Sequence, residues 1–209
     1  MKIGFLGGGN VGATLGEGFV RAGHEVFFGV REPSAPDMRA VVDRWAGKAR
    51  AGSIIEAAAF AGVIVNALPW TASQAVLESL SLQGKVLLDC TNPLAPDLSG
   101  LTVGTTSSAG ELVASWAKGA KVVKIFNTTG YGNMANPVYE GKSIPMFYCG
   151  DDAEAKKVAA SLAKDIGFDP QDAGPLRNAR LLEPYAMLWI WLAVKGGFGR
   201  EFAFQIVRR

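Results

Sequence analysis

The chain has 209 residues, of which 49% are hydrophobic and 19% charged, and a formal net charge of +2. That size and apolar content suit one large domain, or a core domain with a small appendage, and exclude a disordered chain. Basic residues are scattered, with only Arg208-Arg209 adjacent at the terminus, so charge gives no footprint for a nucleic-acid partner.

Lys2–Leu6 reads as an apolar strand that breaks into the turn Gly7-Gly8-Gly9-Asn10-Val11-Gly12. A helix follows over Asn10–Ala22, with Leu15, Phe19 and Val20 on one face, and a second strand over Glu25–Gly29. Ala35–Ala46 contains a helix, and Ser53 caps another that runs through Ala61. Val63–Leu68 is a strand ended by Pro69, and Thr71 or Ser73 caps a helix through Leu80. Lys85–Asp89 is the next strand. Ser107/Ser108 with Glu111 has the spacing of a capping box for a helix through Trp116. Lys121–Phe126 and Ile144–Gly150 are strands, Ala153–Ile166 a helix and Phe168–Asp172 a short strand. A long apolar helix covers Leu176–Lys195.

Strands that alternate with crossover-length helices predict an α/β fold of the Rossmann type: doubly wound, with a mainly parallel sheet and a short C-terminal helical portion. Residues 1–150 form the expected nucleotide-binding domain. Residues 151–209 are expected to pack on it rather than fold separately, since no linker intervenes. The aromatic C-terminal helix (Tyr185, Met187, Trp189, Ile190, Trp191) is expected to cover the core and to contribute to a homodimer. Cys90 and Cys149 lie far apart after apolar runs and read as buried free thiols. The N-terminus enters a strand without a charged leader, and Ala186–Val194, the longest apolar run, is far short of the about 20 residues that cross a bilayer. A cytoplasmic protein without membrane or metal partners is expected.

Gly7-x-Gly9-x-x-Gly12 between a strand and a helix is the arrangement a dinucleotide needs. The first glycine allows the tight turn, the second lets backbone approach the pyrophosphate, and the third lets helix and strand pack closely. The second strand ends in Gly29, without the acid that accepts a ribose 2′-hydroxyl, and Arg31 follows. A guanidinium can pair with a 2′-phosphate, so NADP(H) is the expected cofactor, with Glu32 as a neighbour that could compete for Arg31. The sole histidine, His24, falls in the turn before the second strand, at the end of the sheet away from the ligand crevice, and reads as a solvated turn residue. Lys118, Lys121, Lys124, Lys142 and Lys195 offer no lone acid/base candidate. Ring-to-ring hydride exchange demands alignment more than a proton donor, and this pattern favours it. Leu68-Pro69-Trp70, Cys90-Thr91-Asn92-Pro93 and Asn127-Thr128-Thr129-Gly130-Tyr131-Gly132 follow three later strands and should line the crevice.

These blocks, with Gly23-His24-Glu25-Val26, Ser107–Glu111, Lys121–Asn127, Cys149-Gly150-Asp151-Asp152 and Asp172–Arg180, resemble the NADPH-dependent deazaflavin (coenzyme F420) reductases and the related oxidoreductase domain of the STEAP metalloreductases. The resemblance implies that Gly7, Gly9, Asn10, Val11 and Gly12 bind pyrophosphate and Arg31 the 2′-phosphate. By it, Leu68, Pro69 and Asn92 meet the ribose or nicotinamide, and Asn127 and Thr129 face a second ring. That ring would be F420, FMN or FAD, or the acceptor a small molecule, because the family's His and Ile-Pro after the sixth strand are replaced by Asn127, Thr129 and Gly130. The alternatives are an NADP-dependent reductase of a small imine or carbonyl substrate and a non-catalytic NADP(H)-sensing module.

Overall fold

In the computed structural model, which describes residues 1–45 and 47–209, the first strand β1 (Lys2–Leu6) is buried from Ile3 onward. Its side chains alternate between two helical layers. Phe5 joins the cluster of Leu15, Phe19 and Phe28, while Leu6 joins that of Ile64, Leu77 and Leu87. The same alternation separates Val65 from Ile64, Leu88 from Leu87 and Val123 from Val122. Strands apolar on both faces therefore become the middle of a three-layer sandwich.

The elements in order are β1, α1 (Asn10–Arg21), β2 (Glu25–Gly29), α2 (Pro36–Arg44), β3 (Ala49–Gly52), α3 (Ile54–Phe60), β4 (Val63–Asn66), α4 (Trp70–Glu78), β5 (Val86–Asp89) and α5 (Ala109–Trp116). They continue with β6 (Lys121–Lys124), α6 (Tyr131–Ala135), β7 (Val138–Tyr139), β8 (Lys142–Ser143), β9 (Pro145–Gly150), α7 (Ala153–Asp165), β10 (Asp169–Asp172), a 3-10 turn at Leu176–Asn178 and α8 (Ala179–Val194). The main sheet has the order β10-β9-β6-β5-β4-β1-β2-β3. All its pairings are parallel except β6 with β9. After β1 the chain winds outward to β3 and then returns to the other side of β1 as β4. The crevice of such a fold opens at that reversal, beyond the carboxyl ends of β1 and β4.

Several local expectations are corrected. β3, α6 and the hairpin β7–β8 lie where no element is read from sequence. The expected helix over Ala35–Ala46 is observed as Pro36–Arg44, and Ala46 lies outside the described residues. Neither Thr71 nor Ser73 caps α4: Pro69 is the N-cap, and the Ser73 hydroxyl bonds back to the Pro69 carbonyl. The long C-terminal helix divides at Asn178. It is also not covered on every side, because Leu181, Leu188 and Trp191 form an exposed stripe while Trp189 is buried. Ser53 and Ser108 cap their helices as read, but the reciprocal capping box forms at Ser53 with Glu56, whereas at Ser108 the Glu111 carboxylate takes the serine hydroxyl and not its backbone N–H. Cys90 and Cys149 are both buried, and burial pushes the Cys149 thiol up to about 12.

Candidate dinucleotide site and a second cavity

Each glycine of the turn has its own constraint. Gly7 has φ of +100°, and a side chain there would sit 2.8 Å from the Ala67 carbonyl oxygen of the loop after β4. Gly12 is buried, and a Cβ on it would meet the Gly7 carbonyl oxygen, so it sets how closely α1 packs on β1. Gly9 is different. Its φ of −71° is open to any residue, and an added Cβ would meet no protein atom within 4 Å. Protein packing does not require a glycine there, and the space above it is open. Next to that space α1 begins with no side-chain cap and no acidic residue in its first turn, leaving its N–H groups and positive dipole end for an anion.

This turn forms the floor of a cavity of about 800 Å³. Gly7, Gly9, Asn10, Val11, Arg31, Leu68 and Pro69 all line it. Arg31 and Glu32 are both exposed, and among the described residues Arg31 enters no ion pair, with Glu32 or otherwise. The missing acid at Gly29 has a packing cause: a Cβ there would lie 2.8 Å from both Ala57 Cβ and Ile54 Cα of α3. The vacancy at Gly29 therefore says nothing about the nucleotide, and Arg31 is the cationic side chain that lines this cavity.

Asn92, Asn127 and Thr129 are not on that wall. Asn92 and Asn127 form a mutual pair: Asn92 Nδ2 donates to the Asn127 carbonyl (2.8 Å) and Asn127 Nδ2 donates to Asn92 Oδ1 (3.1 Å). Asn127 is buried and also reaches the Leu182 carbonyl of α8, while its Oδ1 has no partner. The loop carrying it leaves β6 through Phe126, a fully buried aromatic at φ +61°, a conformation that costs about 1–3 kcal/mol and is held by its packing on Phe19 and Phe168. Thr129 is half-buried and accepts from Asn133 Nδ2 (2.7 Å). A second cavity, of about 630 Å³, begins at the next residue, Gly130, and includes Leu94 from the loop after β5 and Trp189 from α8. Because β4, β5 and β6 are successive neighbours, their loops run in order from the first cavity to the second.

Two features escape sequence reasoning. Lys124 is fully buried, and its ammonium donates to Asp89 Oδ2 (2.7 Å) and the Thr91 carbonyl (2.7 Å) and pairs with Glu183 Oε1 (3.1 Å). Burial draws its pKa down, but Asp89 and Glu183 outweigh this and hold it above its ordinary value. His24, expected to be solvated, is buried. Its ring lies edge-on to Phe19, with Nδ1 3.0 Å from the Met1 amine and Nε2 3.1 Å from Asp165 Oδ2. Asp165 ends α7, an element too distant in sequence for the partnership to be read from spacing. The histidine does lie before β2, at the end of the sheet opposite the crevice.

Residues 2–93 match the family described as NADP oxidoreductase, coenzyme F420-dependent. The chain is similar to a protein of Arthrobacter sp. FB24 provisionally described as an F420-dependent NADP-reductase: 33% identity, TM-score 0.87, and full coverage of both chains. It is 30% identical over 151 residues to the F420-dependent NADP reductase of Methanocaldococcus jannaschii, covering 67% of this chain and 66% of that one. To the rat (Rattus norvegicus) metalloreductase STEAP3 it is 29% identical over 216 aligned residues, 99% of this chain and 42% of that protein. It thus spans less than half of the metalloreductase and just under two thirds of the archaeal enzyme. With the glycine turn, the fold and the full-length structural match in agreement, the chain belongs to the coenzyme F420-dependent NADP oxidoreductase family.

Proposed function

We propose that this protein exchanges hydride between NADP(H) and the planar redox ring of a flavin or deazaflavin, with F420, FMN and FAD as candidates. The observation that carries the reading is Gly9: an unstrained glycine with open space above it, beside an uncapped helix N-terminus and on the same cavity wall as the unpaired Arg31. In this reading the first-turn N–H groups of Asn10, Val11 and Gly12 hold the pyrophosphate and Arg31 holds the 2′-phosphate. Leu68 and Pro69 flank the ribose, and Asn92 the nicotinamide side. When bound, NADPH supplies the hydride. The chain's own work is to align two rings and keep water out, for which amide, hydroxyl and aromatic groups suffice.

The second cavity supports an acceptor site beyond Asn92, with Thr129 next in the chain to its lining residue Gly130 and Asn127 holding the loop from behind. We extend the proposal to organisation. Residues 1–150 and 151–209 would act as one unit, because β9 and β10 continue the main sheet and Glu183 of α8 binds the N-terminus of α5. The stripe Leu181, Leu188 and Trp191 would form a homodimer contact. The protein would work in the cytoplasm on a small-molecule redox substrate; no helix among the described residues is long and apolar enough to cross a membrane.

The test is NADPH oxidation at 340 nm with riboflavin, FMN, FAD and F420 as separate acceptors. Turnover with at least one ring compound is expected. NADPH binding without turnover on any of the four would favour a sensing module and overturn the hydride-transfer reading.

A further inference from the structure

Beyond α8 the chain has no helix or strand, yet it stays packed on the protein as far as Phe204, and residues 205–209 are exposed throughout. Gly197 (φ +78°) and Gly199 (φ +71°) turn it back along α8, with open space at both, so the bends reflect backbone freedom rather than packing. Arg200 and Glu201 then line the second cavity. Phe202 stacks on Trp189, with ring centroids 5.2 Å apart and planes 13° apart, and Phe204 packs on Tyr185 at 4.9 Å. The Phe202 carbonyl accepts two hydrogen bonds, from Trp189 Nε1 (3.1 Å) and Asn133 Nδ2 (2.8 Å).

Asn133 makes this docking relevant to the site. It is 3% exposed, and its amide orientation is fixed, because the Phe202 carbonyl can only accept. Its second Nδ2 proton goes to Thr129 Oγ1 (2.7 Å), and its Oδ1 accepts from the Tyr139 hydroxyl (2.6 Å). With an Oγ1 lone pair engaged by Asn133, the Thr129 hydroxyl keeps its proton for another partner. The same α6 side chain thus touches the candidate acceptor residue and the tail. Gly130, between them, leaves room for the Trp189 indole, whose ring would lie 2.5 Å from any Cβ added there.

We infer that Gly197–Phe204 is a hinged strap forming the outer wall of the acceptor cavity. Asn133 is the positioning residue that couples its docking to Thr129 and so orients that hydroxyl toward acceptors whose ring edge carries a carbonyl oxygen or a bare nitrogen. The inference rests on the acceptor reading proposed above. Its contacts suit a movable element: three hydrogen bonds (two to the Phe202 carbonyl and one from the Phe198 N–H to the Leu192 carbonyl), two aromatic contacts with α8 and the packing of Ala203 hold it, against a hinge of glycines that gain much freedom on release.

The experiment compares wild type with Asn133→Leu, which keeps the volume and removes both donors. Phe202→Ala, at a half-buried position, is the second variant should the first not fold. Limited trypsin digestion reads the strap directly at the exposed Arg200–Glu201 bond. We expect cleavage there to be about tenfold faster in either variant, and slower in wild type when riboflavin is added. Steady-state kinetics should show the KM for riboflavin raised about five- to tenfold, the scale of one lost hydrogen bond, with the Kd for NADPH within twofold. Equal digestion rates in all three proteins, or parallel losses for riboflavin and NADPH, would overturn the inference. If wild type turns over no flavin yet the digestion difference persists, the hydride-transfer reading fails and the coupling of strap to Asn133 stands.

Discussion

Gly9 and Gly12, three residues apart, make opposite predictions, and the structure says why. At Gly9 the backbone (φ −71°, ψ −170°) accepts any residue and an added side chain meets nothing, so Gly9→Val changes the fold only through its poorer capping of α1. Glycine caps a helix better than valine by about 1 kcal/mol, which in a chain of this size lowers the melting temperature by about 2–4 °C. The isopropyl group, however, fills the space where a pyrophosphate would approach the first-turn N–H groups. Losing one or two charge-assisted hydrogen bonds, at about 1.5–3 kcal/mol each, weakens NADPH by at least tenfold and up to about 10⁴-fold. Gly12→Ala behaves in reverse, because its methyl group collides with the Gly7 carbonyl. Overpacking of this kind costs about 1–3 kcal/mol of stability, a drop of some 2–12 °C. The assay pairs thermal melts with NADPH fluorescence titrations of both variants. A folded Gly9→Val protein that binds NADPH within threefold of wild type would falsify the site.

Other expectations follow from single residues. Arg31→Ala should weaken NADPH by about 1.5–3 kcal/mol and leave NADH nearly unchanged, since among the described residues Arg31 has no ion pair to lose; titration of both nucleotides decides, and equal losses would remove the 2′-phosphate assignment. Hydrogen bonding from Arg180 to Glu111 (Nε 2.8 Å) holds that carboxyl below its ordinary 4.5, against a smaller opposing effect of burial. Its stabilising contribution is complete above about pH 4.5 and is lost as the pH falls through the depressed value, so Glu111→Gln should flatten the melting-temperature profile between about pH 5 and 3. An unchanged acid limb would assign the acid sensitivity elsewhere. His24→Ala should alter acceptor reduction by well under tenfold across pH 5.5–8.5, whereas acid/base catalysis would contribute about 100- to 10,000-fold. It should nonetheless cost about 1–3 kcal/mol of stability, for the lost Asp165 bond and Phe19 contact. A hundredfold activity loss in a folded variant would return the histidine to the reaction.

What could be read from sequence was what local chemistry dictates. Apolar strands such as Val63–Asn66, the Ser53 cap and the glycine turn announce themselves within a few residues. What could not be read depends on partners far along the chain. β3 (Ala49-Arg50-Ala51-Gly52) has no apolar run and exists because β2 offers it an edge. His24 read as solvated because it falls in a turn away from the crevice, and its partners there include Asp165, far along the chain. Gly29 read as a missing acid, but α3 forbids any side chain there. The tail after Lys195 carries no periodicity, and only contacts with Trp189, Tyr185 and Asn133 give it a course.

The buried charges show how distant partners can shape the site without entering its chemistry. Taking Asp89, Lys124 and Glu183 out of water costs several kcal/mol per ion, so they persist only because almost every lone pair and proton is used. Lys124 spends its three protons on Asp89, Glu183 and the Thr91 carbonyl. Asp89 also accepts from Asn66 and from the Thr91 amide and hydroxyl, and Glu183 from the Ala109 and Gly110 amides at the start of α5. An ammonium so engaged has no proton to lend to a substrate. An apolar core of equal volume could supply as much stability, but it would have no directional hold on Thr91. The charged cluster does have one. It ties the ends of β5 and β6 to α8 and holds both the N–H and the C=O of Thr91, and the next residue, Asn92, is the one that pairs with Asn127. This fully buried cluster of charges therefore serves the placement of one loop.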